Sequence, residues 1–294
     1  MMYYGSYASL SDIRAALDYS TDNTDHDIRL RAVLEATSRQ IDEYCRRHFY
    51  VRTQTKYYDG VLGIGRVIDQ YTQELTEYYS KLWIDDLLAE TTIKMDSDGD
   101  AVWEDVLAST DYILWPYNSW PKVRIDLDLR QGDYSYWVSG QQRIEIAASW
   151  GYGDGASATP YVTSGATVTV ADATTTTLTT SDGSALEVAQ TILAGTEQAY
   201  ITAISGNNLT AVRGVNGTTA AAQASATAYI YRYPEQVKWA TILRAEWLWK
   251  RRDAIFGVTG TTALGQIKMS LPPLDPDTKL LLQPFCKTQY RGAV

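Results

Sequence analysis

The run Thr24–Phe49 constrains the fold of this chain more than any other stretch. Leu30, Val33, Leu34, Thr37, Ile41, Tyr44, Cys45 and His48 recur at helical spacing and form one stripe. Arg31, Glu35, Arg39, Asp42, Glu43, Arg46 and Arg47 fill most of the other face. The spacing predicts a long amphipathic helix over 24–49, with Thr24 as N-cap and Asp25 and Asp27 in its positive first turn. Such a stripe must be covered, and two other segments offer faces to cover it. Residues 9–19 place Leu10, Ile13, Ala16 and Leu17 on one side. Residues 234–256 begin with Pro234, which suits a first helical turn, and carry two apolar stripes. One holds Val237, Ala240, Thr241, Arg244, Trp247, Leu248 and Arg251; the other holds Trp239, Leu243, Glu246 and Trp249. These three segments are expected to pack as a helical base, with the middle of the chain inserted between them.

That middle reads as β structure. Tyr50–Asp59 alternates, 70–90 shows no clean period and reads as irregular, and Thr91–Asp105 forms a hairpin around Asp96-Ser97-Asp98-Gly99-Asp100. The acidic turn lacks the glycine position and flanking helices of an EF-hand loop, so it reads as a plain Asp-Gly turn. Strands follow at 112–115, 122–127, 137–138 and 143–150, and residues 154–165 read as a linker. Composition then shifts: 166–233 is rich in Thr, Ala and Gly, poor in charge, and patterned as five or six short strands. The expectation is an autonomous β domain that could be excised. The fold class expected is α+β: a small helical bundle base with β-hairpins (1–155 with 234–256), an inserted all-β domain (160–233) and an extended C-terminal tail (257–294).

Charge is uneven. The formal net charge is −9, yet residues 1–160 carry 15 Lys/Arg against 26 Asp/Glu while 234–294 carry 9 against 5. An acidic body opposes ordinary duplex binding, where cations must neutralise phosphates. The 22 Tyr and 9 Trp, against 3 Phe, fit either interface residues or a Tyr-rich β surface. Cys45 and Cys286 do not make a disulfide framework, and Cys45 reads as a core thiol. Met1–Tyr7 does not read as a signal peptide, and no apolar run is long enough to span a membrane.

Catalytic chemistry finds little support. His26 and His48 are the only histidines and both read as structural. No nucleophile elbow, His-Glu-x-x-His, Cys-x-x-Cys pair, phosphate loop or dense acid cluster is evident. The chain is read as having no enzymatic activity, no metal and no cofactor.

The pieces together resemble the head–tail adaptor (connector) proteins of tailed double-stranded DNA bacteriophages. The resemblance rests on Leu10-Ser11-Asp12-Ile13-Arg14-Ala15-Ala16-Leu17 and Ile41-Asp42-Glu43-Tyr44-Cys45-Arg46-Arg47-His48-Phe49. It continues through Trp120-Pro121-Lys122-Val123, Ile144-Glu145-Ile146 with Trp150-Gly151-Tyr152, and Pro234-Glu235-Gln236-Val237-Lys238-Trp239-Ala240. It covers residues 6–153 and 234–256. The β segment 160–233, with Arg213-Gly214-Val215-Asn216-Gly217-Thr218, departs from it and looks like small β modules of other virion proteins. The resemblance implies a ring of about twelve copies in the virion neck, assembled in the host cytoplasm. That ring would bind the portal protein and a tail or neck protein and leave a channel that DNA passes without specific binding. The inserted domain would then lie outside the ring. The tail would bind the portal through Ile267, Lys268, Met269, Leu271, Leu274, Lys279, Leu280, Leu281, Phe285 and Arg291, with avidity across the ring. A carbohydrate- or receptor-binding virion protein using the β module is the alternative.

Overall fold

The computed structural model describes residues 5–20, 24–60, 80–251, 258–262, 265–268 and 274–287, with the backbone alone for 258–262 and 265–268. The chain is α+β. It forms two compact units, residues 1–50 with 161–294 and residues 51–160. This differs from the sequence-based division, which joined 1–155 to 234–256 and set 160–233 apart.

The first unit opens with α1 (Leu10–Ala16). Its capping box is reciprocal: Asp12 N donates to Ser9 Oγ at 3.2 Å, and Ser9 N donates to Asp12 Oδ2 at 2.9 Å. The long helix α2 spans Asp27–Cys45. His26, not Thr24, is its N-cap and makes no side-chain cap bond. The first helical carbonyl is that of His26, which accepts Leu30 N at 2.9 Å, while Thr24 contributes only its own carbonyl to Asp27 N. At the other end Arg46 turns left-handed (φ 54°), so His48 and Phe49 lie beyond the helix. Leu30, Leu34, Thr37, Ile41 and Cys45 are buried as the stripe predicts, but Tyr44 is exposed.

Residues 51–160 form the second unit, an antiparallel sheet. Its strands are β1 (Arg52–Gly60), β2 (Lys81–Met95), β3 (Asp105–Val106), β4 (Tyr112–Trp115), β5 (Lys122–Leu127) and β6 (Gly140–Trp150). Their order is β1-β6-β2-β5-β4, with β3 on β2. Residues 81–90, expected to be irregular, belong to the longest strand. Register shifts at Trp83/Leu87, Leu87/Ala89 and Glu90/Thr92 break its alternation, which is why no period of two shows. The core gathers Leu87, Ile93, Ile125, Ile144, Ile146, Trp137 and Trp150. Both indoles are satisfied: Trp137 Nε1 donates to the Ser80 carbonyl at 2.9 Å and Trp150 Nε1 to that of Gln54 at 2.7 Å.

The chain then rejoins the first unit as a closed six-stranded barrel. Its strands are β7 (Tyr161–Val170), β8 (Thr177–Thr180), β9 (Thr191–Ala194), β10 (Glu197–Ser205), β11 (Asn208–Val212) and β12 (Gln223–Tyr231), closing in the order β10-β11-β8-β7-β12-β9. Branched aliphatic and Ala side chains fill the interior: Val168, Ile192, Ile201, Leu209 and Ala228 are almost wholly buried. Helix α3 (Glu235–Arg251) follows, with Pro234 O accepting Val237 N and Lys238 N. A hairpin of β13 (Val258–Thr262) and β14 (Gly265–Lys268) and a short helix α4 (Pro276–Leu282) complete the described chain. Asp275 caps α4 by accepting Thr278 N at 2.8 Å.

The barrel and the helices share a core. Leu10 and Ile13 from α1, Leu30 and Leu34 from α2, and Ile242, Ala245 and Trp249 from α3 pack with Ala189, Tyr200 and Val215 of the barrel segment. Tyr200 also donates to Glu35 Oε1 at 2.8 Å, and Arg31 Nη1 donates to the Thr202 carbonyl at 2.7 Å. Domain autonomy of 160–233, expected from its composition, is therefore at odds with the packing: the barrel supplies one wall of the helical core.

Candidate partner-binding surface

The C-terminal segment holds the residues predicted to meet a partner, and the structure distributes them. Ile267 and Lys268 end β14, where Lys268 pairs with Val258. Met269, Leu271 and Arg291 lie outside the described residues. Leu274 and Phe285 are each 9% exposed and turn into the chain's own unit. The Phe285 ring stands edge-on to Phe49 with centroids 5.9 Å apart, and Leu282 is fully buried. Lys287 N donates to the Cys45 carbonyl at 3.0 Å, capping the last turn of α2. Residues 274–287 thus dock on the chain's own helices, which corrects the reading of this part of 257–294 as an extended tail. Lys279 and Leu280 remain outward, Leu280 at 70% exposure, with Leu281 half-buried. On α3, Trp239 and Leu243 are also exposed, one turn apart on one face.

Polar groups elsewhere are mostly engaged within the fold. His26 stands 5.5 Å from Trp249, centroid to centroid, and His48 Nδ1 lies 2.9 Å from the Tyr50 carbonyl, so both histidines have structural contacts. A cavity of about 230 Å³ lies among the N-terminal ends of α1 and α3 and the barrel. Asp12 and Lys238 at its edge pair at 3.0 Å, and Ser11 Oγ donates to Glu187 Oε2 at 2.5 Å.

In the second unit Asp96, Asp98, Asp100 and Glu104 bring carboxylate oxygens within 4.8 Å of one another, so a dense acid cluster does exist where sequence spacing showed only a turn. Arg143 occupies its inner side, with Nη1 2.9 Å from Asp96 Oδ1. Burial raises the Asp96 carboxyl, but N–H donors from Gly99 and Ala101 together with Arg143 outweigh it and hold that group below the usual carboxylate range. The return strand is also shorter than the sequence hairpin, since only Asp105 and Val106 pair with β2.

One half-buried acid behaves in the opposite way. Asp42 accepts the Tyr7 hydroxyl and lies 3.2 Å from Arg39 Nη2, and Tyr7 Oη accepts Phe49 N at 3.1 Å. Burial dominates the Arg39 and Tyr7 contributions and pushes the Asp42 carboxyl up to about 7. A carboxyl raised above its unfolded value stabilises the fold below that unfolded value. The contribution is lost as pH rises through the folded one. Urea unfolding is therefore expected to lose about 2–3 kcal/mol between pH 5 and pH 8 through this group. Asp42→Asn, which keeps the acceptor for Tyr7, should flatten that slope; an unchanged slope would remove Asp42 as its source.

No protein-family model matches the chain, and no curated protein matches it significantly. Among the described residues no helix is long and apolar enough to cross a membrane.

Proposed function

We propose that this chain is a structural virion protein of a tailed bacteriophage, a head–tail adaptor that joins portal to tail as a ring around a DNA channel. The observation that carries the reading is that α3 packs in one core with α1 and α2, from which it is distant in sequence, and this supports the helical base expected from the three amphipathic segments. In this reading the β structure forms excursions from that base, and the segment 257–294 makes the portal contact, with Lys279 and Leu280 among its exposed side chains. The distribution of charge lends further support. Residues 51–160 carry 9 Lys/Arg against 18 Asp/Glu, which is the whole net charge of −9, while the rest of the chain is balanced. An acidic unit of this kind suits a channel wall that repels phosphate. The adaptor acts by geometry, without catalysis or cofactor, and its partners are further copies of itself, the portal, and a tail or neck protein. The sugar-binding alternative has less behind it, because Tyr161 stands edge-on to Tyr229 and Tyr231 and Tyr200 is buried, leaving little stacking platform in the barrel.

The test is the mass of the purified chain alone and mixed with portal. A closed oligomer that gains mass with portal is expected. Leu280→Asp, which leaves buried Leu282 in place, should weaken the association about tenfold at an unchanged unfolding midpoint, as loss of one exposed anchor does. A chain that stays monomeric in both samples sinks the adaptor reading.

A further inference from the structure

The only two cysteines come from opposite ends of the chain and meet. Cys45 is the last residue of α2, and its carbonyl is capped by the amide of Lys287, the residue after Cys286. Cys286 Sγ lies 3.4 Å from the Leu282 carbonyl and 3.9 Å from that of Tyr44, the neighbour of Cys45. Both thiols are free. The Lys287–Cys45 backbone bond and the approach of Cys286 Sγ to the Tyr44 carbonyl hold the two cysteines side by side, the arrangement a bridge needs. We propose that Cys45 and Cys286 are a redox modification site, forming a reversible disulfide with a small-molecule disulfide as oxidant and thereby locking residues 276–287 onto α2.

The chemistry balances as thiol–disulfide exchange. Cys286, the more exposed sulfur, attacks the small disulfide as its thiolate and expels one small thiolate. Cys45 then attacks the Cys286 sulfur of the mixed disulfide, forming the Cys45–Cys286 bond and expelling the second small thiolate. Each cysteine gives up its proton; the pair loses two electrons and the small disulfide gains them. Burial, with Cys286 beside it, raises the Cys45 thiol above its ordinary range, so Cys45 is the weaker attacker and is suited to the resolving role.

The lock has something to restrain. Leu274, Leu282 and Phe285 are the buried apolar residues of the described C-terminal segment. Around that contact Arg244 Nη1, Asp275 Oδ1 and Thr278 Oγ1 are buried without hydrogen-bond partners among the described residues, which weakens the docking. The dithiol form is thus a latch that can open, and the disulfide form is a latch that cannot leave α2.

The test uses the full chain, reduced and then treated with oxidised glutathione. Peptide mapping should show both thiols lost together to an intrachain 45–286 bridge. Hydrogen exchange at the Lys287 amide and through 276–287 should slow on the order of tenfold or more. Cys286→Ser, at a half-buried position, should show no slowing under the same oxidant, and Cys45→Ala should stop at a glutathione adduct on Cys286. The proposal is overturned if the wild-type chain stops at a mixed disulfide with Cys45 still a thiol, if the bridges join separate chains, or if exchange of 276–287 is the same before and after oxidation.

Discussion

A chain in which residues 161–233 are replaced by a short Gly-Ser bridge is expected to lose the fold of its helices. Ala189, Tyr200 and Val215 are 0%, 0% and 4% exposed, and they are buried in the core made by α1, α2 and α3. Tyr200 is among the largest fully buried side chains. Its loss alone should cost about 3–5 kcal/mol, the range for a buried aromatic cut to alanine, and a domain's whole stability is about 5–15 kcal/mol. The barrel also satisfies groups on the helical side. The Val188 carbonyl accepts Leu10 N at 3.0 Å, Thr202 O receives Arg31, and Glu35 receives Tyr200. The bridged chain removes all of these at once and uncovers one side of the buried stripe of α2. Near-ultraviolet circular dichroism and urea unfolding should show no cooperative transition for the first unit. Tyr200→Ala should show a cooperative transition at much lower urea. A bridged chain with native helical dichroism and a sharp transition would show that the barrel is dispensable after all.

This expectation reverses the one drawn from composition, and the reason is physical. Composition registered a real change at residue 166: the uncharged, branched aliphatic and Ala side chains that fill the barrel interior are the same ones that make the segment look foreign to its surroundings. It could not register that three residues of that segment point outward into another core, because Ala189 and Val215 stand outside the strands and carry no period. Regular periodicity was the most legible signal. The 3.6-residue repeat of Leu30, Leu34, Ile41 and Cys45 located α2 and its buried face to within a turn. Bulged β2 was illegible, because each register shift moves the following side chains to the other face. Long-range meetings were illegible as well. The approach of Cys286 to Cys45 and the burial of Phe285 against Phe49 depend on where the chain returns, and no local pattern encodes that.

Replacing Arg213 by alanine is expected to cost about 3–5 kcal/mol, the penalty for leaving one partner of a buried ion pair uncompensated. Arg213 opens the Gly-containing run 213–218, and in the fold it ties the barrel's loops together. Its Nε and Nη2 reach Glu197 Oε1 and Oε2 at 2.5 and 2.7 Å, with side-chain exposures of 5% and 2%. Its remaining donors go to the carbonyls of Thr175 at 2.8 Å, Asp172 at 3.3 Å and Ala221 at 2.7 Å. Glu197 in turn accepts Gly214 N and Ala221 N, each at 3.1 Å, so both lone-pair edges of the carboxylate are used. Two further bonds hold the end of the run to β10: Val215 N donates to the Gln198 carbonyl at 3.0 Å, and Gln198 N donates to Thr218 Oγ1 at 2.9 Å. Val215 is the residue that enters the helical core, so the ion pair positions a side chain on which α1–α3 depend. Arg213→Ala strands the Glu197 charge among these groups, and Glu197→Ala strands the guanidinium. Removing both leaves no buried charge. Denaturant unfolding of the two single variants and the double variant should therefore be non-additive, with the double variant more stable than the sum of the singles by well over ~1 kcal/mol. A loss below about 1 kcal/mol in Arg213→Ala, the scale of an exposed pair, would mean that solvent reaches this site and that the run does not hold the barrel closed.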